Sequence, residues 1–176
     1  MSIQYLQRPN STEYAEFYSG YVSLVPETDV LKVLREQIEI VRNLVSSIAE
    51  EQELFRYAPE KWSIREMMGH INDGERVFSF RAYTFARGDE AALPGFDEND
   101  YVRQSNFDQT PLQDLLAEFI ALRQSNIMML EHLKKEDWER VGVASENLIT
   151  VRAIVWIMAG HVRHHLNILT ERYLQK

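Results

Sequence analysis

Four segments of this chain carry apolar residues at helical spacing, and no run shows the alternation of a half-buried strand. The first is expected to begin at Thr28 or Asp29. Val30, Leu34, Val41, Leu44, Val45 and Ile48 share its stripe, and the pattern fades near Arg56–Pro59. The second opens on Ser63-Ile64-Arg65-Glu66, a capping box in which each side chain closes the other's orphan amide. Ile64, Met67, Met68, Ile71, Val77 and Phe78 follow, and the helix is expected to reach about Arg87, with Gly88 as the stop. The third starts at Thr110-Pro111, with Thr as cap, Pro in the first helical position and Gln113 as capping-box partner. Its stripe is Leu112, Leu115, Leu116, Phe119, Leu122, Ile127, Leu130 and Leu133. The fourth starts near Thr150 and runs almost to the end through Val151, Ile154, Val155, Ile157, Met158, His161, His165, Leu166 and Leu169. Four helices that each bury one face predict an all-α fold, most economically a four-helix bundle.

The chain has 176 residues, enough for one domain over 1–176. Residues 1–27 read as an aromatic leader packed on the bundle, with Tyr5, Tyr14, Phe17, Tyr18 and Tyr21, ended by Pro26. Residues 88–109 form a long polar connection containing Pro94-Gly95. Such a loop is either functional or a crossover that partly folds into a short helix. No repeat or low-complexity stretch interrupts the pattern.

Charge and composition narrow the function. Lys plus Arg is 19 against 27 for Asp plus Glu, a net charge of -8, with no basic cluster. That field argues against nucleic-acid binding, which normally needs a basic face. No apolar run approaches the roughly 18 residues of a spanning helix, so no membrane role is expected. The start lacks a basic and an apolar region of a signal peptide, which leaves the cytoplasm as the expected compartment. There is no cysteine, so disulfides, thiolate catalysis and Cys-ligated zinc are excluded. No phosphate loop, GxGxxG or GxSxG occurs, which leaves nucleotide binding and serine hydrolysis without support. Any metal site must use His, Asp and Glu.

Five histidines remain: His70, His132, His161, His164 and His165. His161 and His165 are four residues apart and project from one helix face. That face continues Ile154, Ile157 and Met158, so it points inward. Two imidazoles so placed can converge on one divalent ion. Val162 stands where a zincin motif carries its glutamate base, so that mechanism has no support. The competing reading is a pair of core histidines bonded to each other or to backbone. His70 lies mid-helix among apolar neighbours on the second helix and can complete a three-ligand set with open positions, the catalytic type of site. His164 is offset by about 100°. It can replace a neighbour as ligand, but is expected at the rim. His132 sits at a helix end, where a cation suits the dipole. Asp73 and Glu66 lie within one turn of His70 as orienting or basic groups, unless they are solvated or engaged in capping. Trp62, Trp138 and Trp156 read as packing residues, Trp62 as a hydrophobic staple.

The segment 61–76 (KWSIREMMGHINDGER), the connection 93–100 (LPGFDEND) and the end, TVR at 150–152 through AGHVRHHL at 159–166, together resemble the signatures of the DinB-like (YfiT-like) superfamily. The resemblance spans the chain from about residue 28. It implies a four-helix bundle holding a divalent metal on three histidines, here His70, His161 and His165. It also implies a metal-dependent hydrolase, or a transferase or isomerase using a low-molecular-weight thiol such as bacillithiol or mycothiol. A homodimer and a small-molecule substrate are implied as well.

Three functions are therefore carried forward. The first is a metal-dependent enzyme, with zinc, nickel, iron or manganese creating a nucleophile at neutral pH. A thiol would have to come from a cofactor, since the chain has none. The second is a non-catalytic metal- or ligand-binding sensor or stress module. The third is a structural dimer whose histidines are core filler. An open coordination position beside a cavity separates the first from the second.

Overall fold

In the computed structural model, which describes residues 7–174, helices follow the apolar stripes. The four long ones are α2 (Val30–Ser46), α3 (Ile64–Ala86), α5 (Leu112–Glu131) and α7 (Val151–Ile168). Short helices α1 (Ser19–Ser23), α4 (Glu98–Gln104) and α6 (Lys135–Trp138) lie in the leader and the connections. Local chemistry sets three of the long starts. Asp29 accepts the Lys32 amide at 3.0 Å, and Thr150 accepts that of Ala153 at 3.0 Å. Ser63 and Glu66 bond each other's amides at 3.0 and 2.8 Å.

The order of packing is not the order of the chain. α2 packs on α5 and α7, and α3 packs on the same two helices. Successive long helices α2 and α3 therefore stand on a diagonal, as do α5 and α7. Neighbouring bundle helices need only about 2–8 connecting residues. The connections 47–63 and 132–150 are longer, and they cross the bundle ends. This arrangement sets α3 beside α7, the precondition for any site that uses both.

The apolar interior falls into two clusters. One contains Leu34, Phe85, Trp156 and, from the leader, Tyr18, Val22 and Val25. The other contains Val41, Met68, Phe119 and Leu166. Between them the helices carry polar side chains: Gln37 on α2, Glu75 on α3, Arg123 on α5 and His161 on α7, all buried. The leader is clamped to the bundle by Glu13, which accepts from Thr150 Oγ1 at 2.9 Å and Arg152 Nη2 at 2.5 Å. Gly160 lets it approach closely, because a Cβ there would lie 2.1 Å from the Tyr21 carbonyl oxygen. Tyr5 lies outside the described residues. Among those described, no helix is long and apolar enough to cross a membrane.

Four local expectations are corrected. α2 ends at Ser46 rather than near Arg56–Pro59, because the Ser47 hydroxyl donates to the Leu44 carbonyl at 2.7 Å and closes the last turn. The start of α5 is not capped by Thr110, whose hydroxyl turns back to the Asn106 carbonyl at 3.1 Å. Pro111 occupies the cap position, no Gln113 box forms, and the Glu53 carboxylate reaches the Leu112 amide at 3.4 Å. α5 also ends at Glu131, and Leu133 is buried beyond it.

The fourth correction is a β-hairpin, where no strand was expected. β1 (Val141–Ala144) pairs antiparallel with β2 (Asn147–Thr150) in the register Val141↔Thr150. Its turn residues Ser145 and Glu146 both adopt positive φ, 50° and 66°, as the tight hairpin turn requires. Neither is the Asn or Gly that usually announces such a turn. Leu93 adds backbone bonds to Val143 and Ser145, so the hairpin is stabilised by the long connection lying on it. That connection folds in part, as α4 and a 3-10 turn at Phe107–Gln109.

Candidate metal centre

α3 supplies His70, and α7 supplies His161 and His165 one turn apart. Their Nε2 atoms converge: His70 and His161 are 2.9 Å apart, His70 and His165 3.1 Å, His161 and His165 3.1 Å. All three rings are buried. The triangle cannot satisfy itself by hydrogen bonding. A neutral imidazole presents at Nε2 either one proton or one lone pair, so three nitrogens aimed at one point form at most one good bond. Three lone pairs around a shared cation satisfy all of them. Ligand nitrogens about 2.0–2.1 Å from one ion lie roughly 3 Å from each other, as these do. The donor set therefore fits a divalent ion.

The protonation state also fits. Burial, with a contribution from His164, pushes His70 down to about 4. Burial and then the neighbouring imidazoles drive His161 well below its ordinary value, and burial and the neighbours His70 and His164 do the same to His165. Each ring is neutral near pH 7 and offers a lone pair rather than a charge.

Aromatic residues and one glycine hold the rings. Trp62 stands over His70 with ring centroids 4.6 Å apart. Tyr21 and Phe78 meet His161 edge-on at 5.6 and 5.4 Å. Gly74, one turn beyond His70, makes room for the His161 ring, because a Cβ there would fall 2.6 Å from Cε1. Nδ1 of His165 is buried without a partner, unlike most ligand histidines, which donate their second nitrogen to an oxygen.

The remaining candidates separate cleanly. His164 is half-buried at the rim, edge-on to Tyr21 at 5.3 Å and to His165 at 5.0 Å. Glu66 is engaged in the cap and in an ion pair with Arg56. Asp73 pairs with Arg76 at 3.6 Å, and burial raises its pKa. Neither carboxylate bonds a histidine. His132 ends α5 exposed, with Nδ1 2.6 Å from the Met128 carbonyl oxygen. Trp138 and Trp156 are buried packing residues. Trp62 is not only a staple: its ring covers His70, and its carbonyl accepts from the Tyr173 hydroxyl at 2.7 Å.

The histidines open onto a cavity of about 540 Å3, within the usual range for small-molecule sites. Its wall includes Phe17, Tyr21, Trp62, Phe78, Phe96 and His164, drawn from the leader, α3, α7 and the connections. Residue spacing could not reveal Tyr21, Phe78 or the hairpin as wall elements. Gly74 did leave a signal, since a glycine inside a helix costs about 1 kcal/mol and asks for a packing reason.

Comparisons with known proteins agree with this architecture. The family model of the DinB superfamily matches residues 34–169. No curated protein sequence matches the chain significantly. YfiT from Bacillus subtilis, described as a probable metal-dependent hydrolase with an unusual four-helix bundle topology, superposes with a TM-score of 0.72. It is 16% identical over 93% of this chain and 89% of its own. The DinB-like protein YjoA from Bacillus subtilis superposes with a TM-score of 0.57 at 18% identity, over 80% of this chain and 86% of its own. At these identities the likeness is one of fold.

Proposed function

The chain belongs to the DinB superfamily, and from that premise we propose that it is a metal-dependent enzyme acting on a small molecule in the histidine-floored cavity. One observation carries the reading: three neutral, buried Nε2 atoms within 3.1 Å of each other form the floor of an open cleft. A closed structural or sensing site would lack that cleft.

His70, His161 and His165 would hold the ion, and imidazole donors suit zinc, nickel or iron. When bound, a divalent ion supplies Lewis acidity, so that a nucleophile exists at neutral pH and an electrophile is polarised. The protein's own groups do the rest. Trp62 and Phe78 keep bulk water from the imidazoles on two sides. Gly74 and Tyr21 fix the plane of His161. His164 stands at the rim with a free path to the cavity, placed to hold or pass a proton. Hydrolysis and transfer of a low-molecular-weight thiol both use this arrangement, and the absence of cysteine requires any thiol to enter as a cosubstrate.

The test is elemental analysis of protein purified without added metal, beside His70→Ala and His165→Ala. Near-stoichiometric metal in the wild type and none in either variant is the expected result. The metal-loaded protein is then assayed with activated esters, with and without an added thiol. A wild type that retains no divalent ion after dialysis against it overturns the reading.

A further inference from the structure

Arg81 lies on α3 eleven residues after His70. On a 3.6-residue helix this spacing returns it to the same face about 16 Å along the axis. The side chain is 3% exposed and lines the cavity that the histidines floor. Its guanidinium donates to the Pro94 carbonyl at 2.9 Å, to Ser145 Oγ at 3.0 Å and to the Tyr18 phenol oxygen at 3.4 Å. Tyr18 and Ser145 are wall residues themselves, so the charged tip stands at the cavity surface.

All three partners are uncharged. The chain's other buried arginine, Arg123, has a carboxylate, Glu75, at 2.6 Å. The part-buried Arg65 and Arg152 have Glu53 at 2.7 Å and Glu13 at 2.5 Å. Among the described residues no carboxylate pairs with Arg81. Three of its five N–H groups are used, and two remain. A buried charge without a counter-charge is unfavourable unless something completes it. The site is also held in place, because Ser145 directs its hydroxyl at Arg81 from a left-handed backbone, φ 50°. Among the described residues that line the cavity, the one carboxylate is Glu98, exposed at the start of α4. The cleft thus has histidines at its floor, a guanidinium on the hairpin side, and aromatic walls.

We propose that Arg81 is the recognition point for an anionic group on the substrate. The ligand is a small molecule with an apolar body whose carboxylate or similar anion pairs with Arg81. Its reacting end is thereby directed to the histidines, a placement that rests on the function proposed above; the anion site itself does not.

The test uses metal-free, chelator-treated protein at pH 8, so that no ion can bind the probe. 4-Phenylbutyrate and its uncharged counterpart 4-phenylbutan-1-ol are titrated calorimetrically. The wild type is expected to bind the acid roughly tenfold more tightly than the alcohol. Arg81→Met should bring the acid to the level of the alcohol and leave the alcohol unchanged, whereas Arg81→Lys should keep part of the preference. Equal affinities in the wild type, no binding of the acid at millimolar concentration, or an acid preference that survives Arg81→Met overturns the proposal. The wild-type comparison decides even if Arg81→Met fails to fold. Zinc retention is measured on a separate sample, so loss of the metal reading leaves the Arg81 result standing, and the reverse also holds.

Discussion

Two buried polar clusters meet at one level of this bundle, on either side of Glu75. Towards α2 and α5, Arg123 donates to both Glu75 oxygens at 2.9 and 2.6 Å and to Gln37 at 2.7 Å. Asn126 adds a bond to Glu75 at 3.0 Å, and Gln37 passes one to the Ala159 carbonyl at 2.7 Å. Towards α7 stand the three histidines, with Gly74, one residue before Glu75, against the His161 ring. The first cluster is charged and fully partnered. The second is neutral and cannot partner itself, because three Nε2 atoms face one another. The three histidines share one cavity, which Arg81 also lines. Burial and polarity are common to both; what separates a structural network from a functional one is whether its groups are satisfied within the protein.

The sharpest way to break this comparison is Glu75→Ala. It strands the Arg123 guanidinium and should lower unfolding free energy by about 3–5 kcal/mol in urea titrations. A loss under about 1 kcal/mol would remove the network from its structural role. The histidine cluster should behave in the opposite sense. Zinc at a hundredfold excess over its dissociation constant should stabilise the wild type by about 2.7 kcal/mol. His165→Leu should abolish that gain while leaving the metal-free protein at least as stable, since an apolar group of similar size replaces an unsatisfied one. Thermal melts with and without zinc read both effects.

Gly74→Ala probes the boundary between the clusters. The added methyl meets the His161 ring, so overpacking should cost about 1–3 kcal/mol and metal affinity should fall about tenfold against a competing chelator. An unchanged affinity would show that the His161 plane is not held from α3. The smallest effect belongs to a half-buried ion pair outside both clusters, Glu13 with Arg152. Burial raises the Glu13 pKa, but hydrogen bonds from Arg152, Asn10 and Thr150 outweigh it and hold the carboxyl below its usual 4.5. Its stabilisation is therefore present above about pH 4.5 and lost as pH falls through the lower folded value. Melting wild type and Glu13→Gln from pH 7 to pH 3 should show a wild-type advantage that disappears at the acid end.

Much of the fold was legible because its determinants are local. The Ser63–Glu66 box, the Asp29 and Thr150 caps and the apolar stripes each act within a few residues, and α2, α3 and α7 start where they place them. The hairpin was not legible, since Ser145-Glu146 gives no turn signal and two short strands are stable only against Leu93 and the bundle. The α5 start misled for a similar reason: Glu53, far away in the chain, serves the amide that Thr110 was expected to serve.

The sequence by itself determined four amphipathic helices, an acidic chain without thiols, and two histidines on one inward face of α7. Those properties depend on residue type and on spacing within a turn. Only the tertiary structure decided that α3 stands beside α7 rather than beside α2, so that His70 joins two rings 91 and 95 residues away. It also decided that Trp62 covers His70 and that Arg81 faces the cavity without a counter-charge. Such meetings are set by how long connections cross the bundle and by which side chains fill the space between helices, and no periodicity along one helix encodes them.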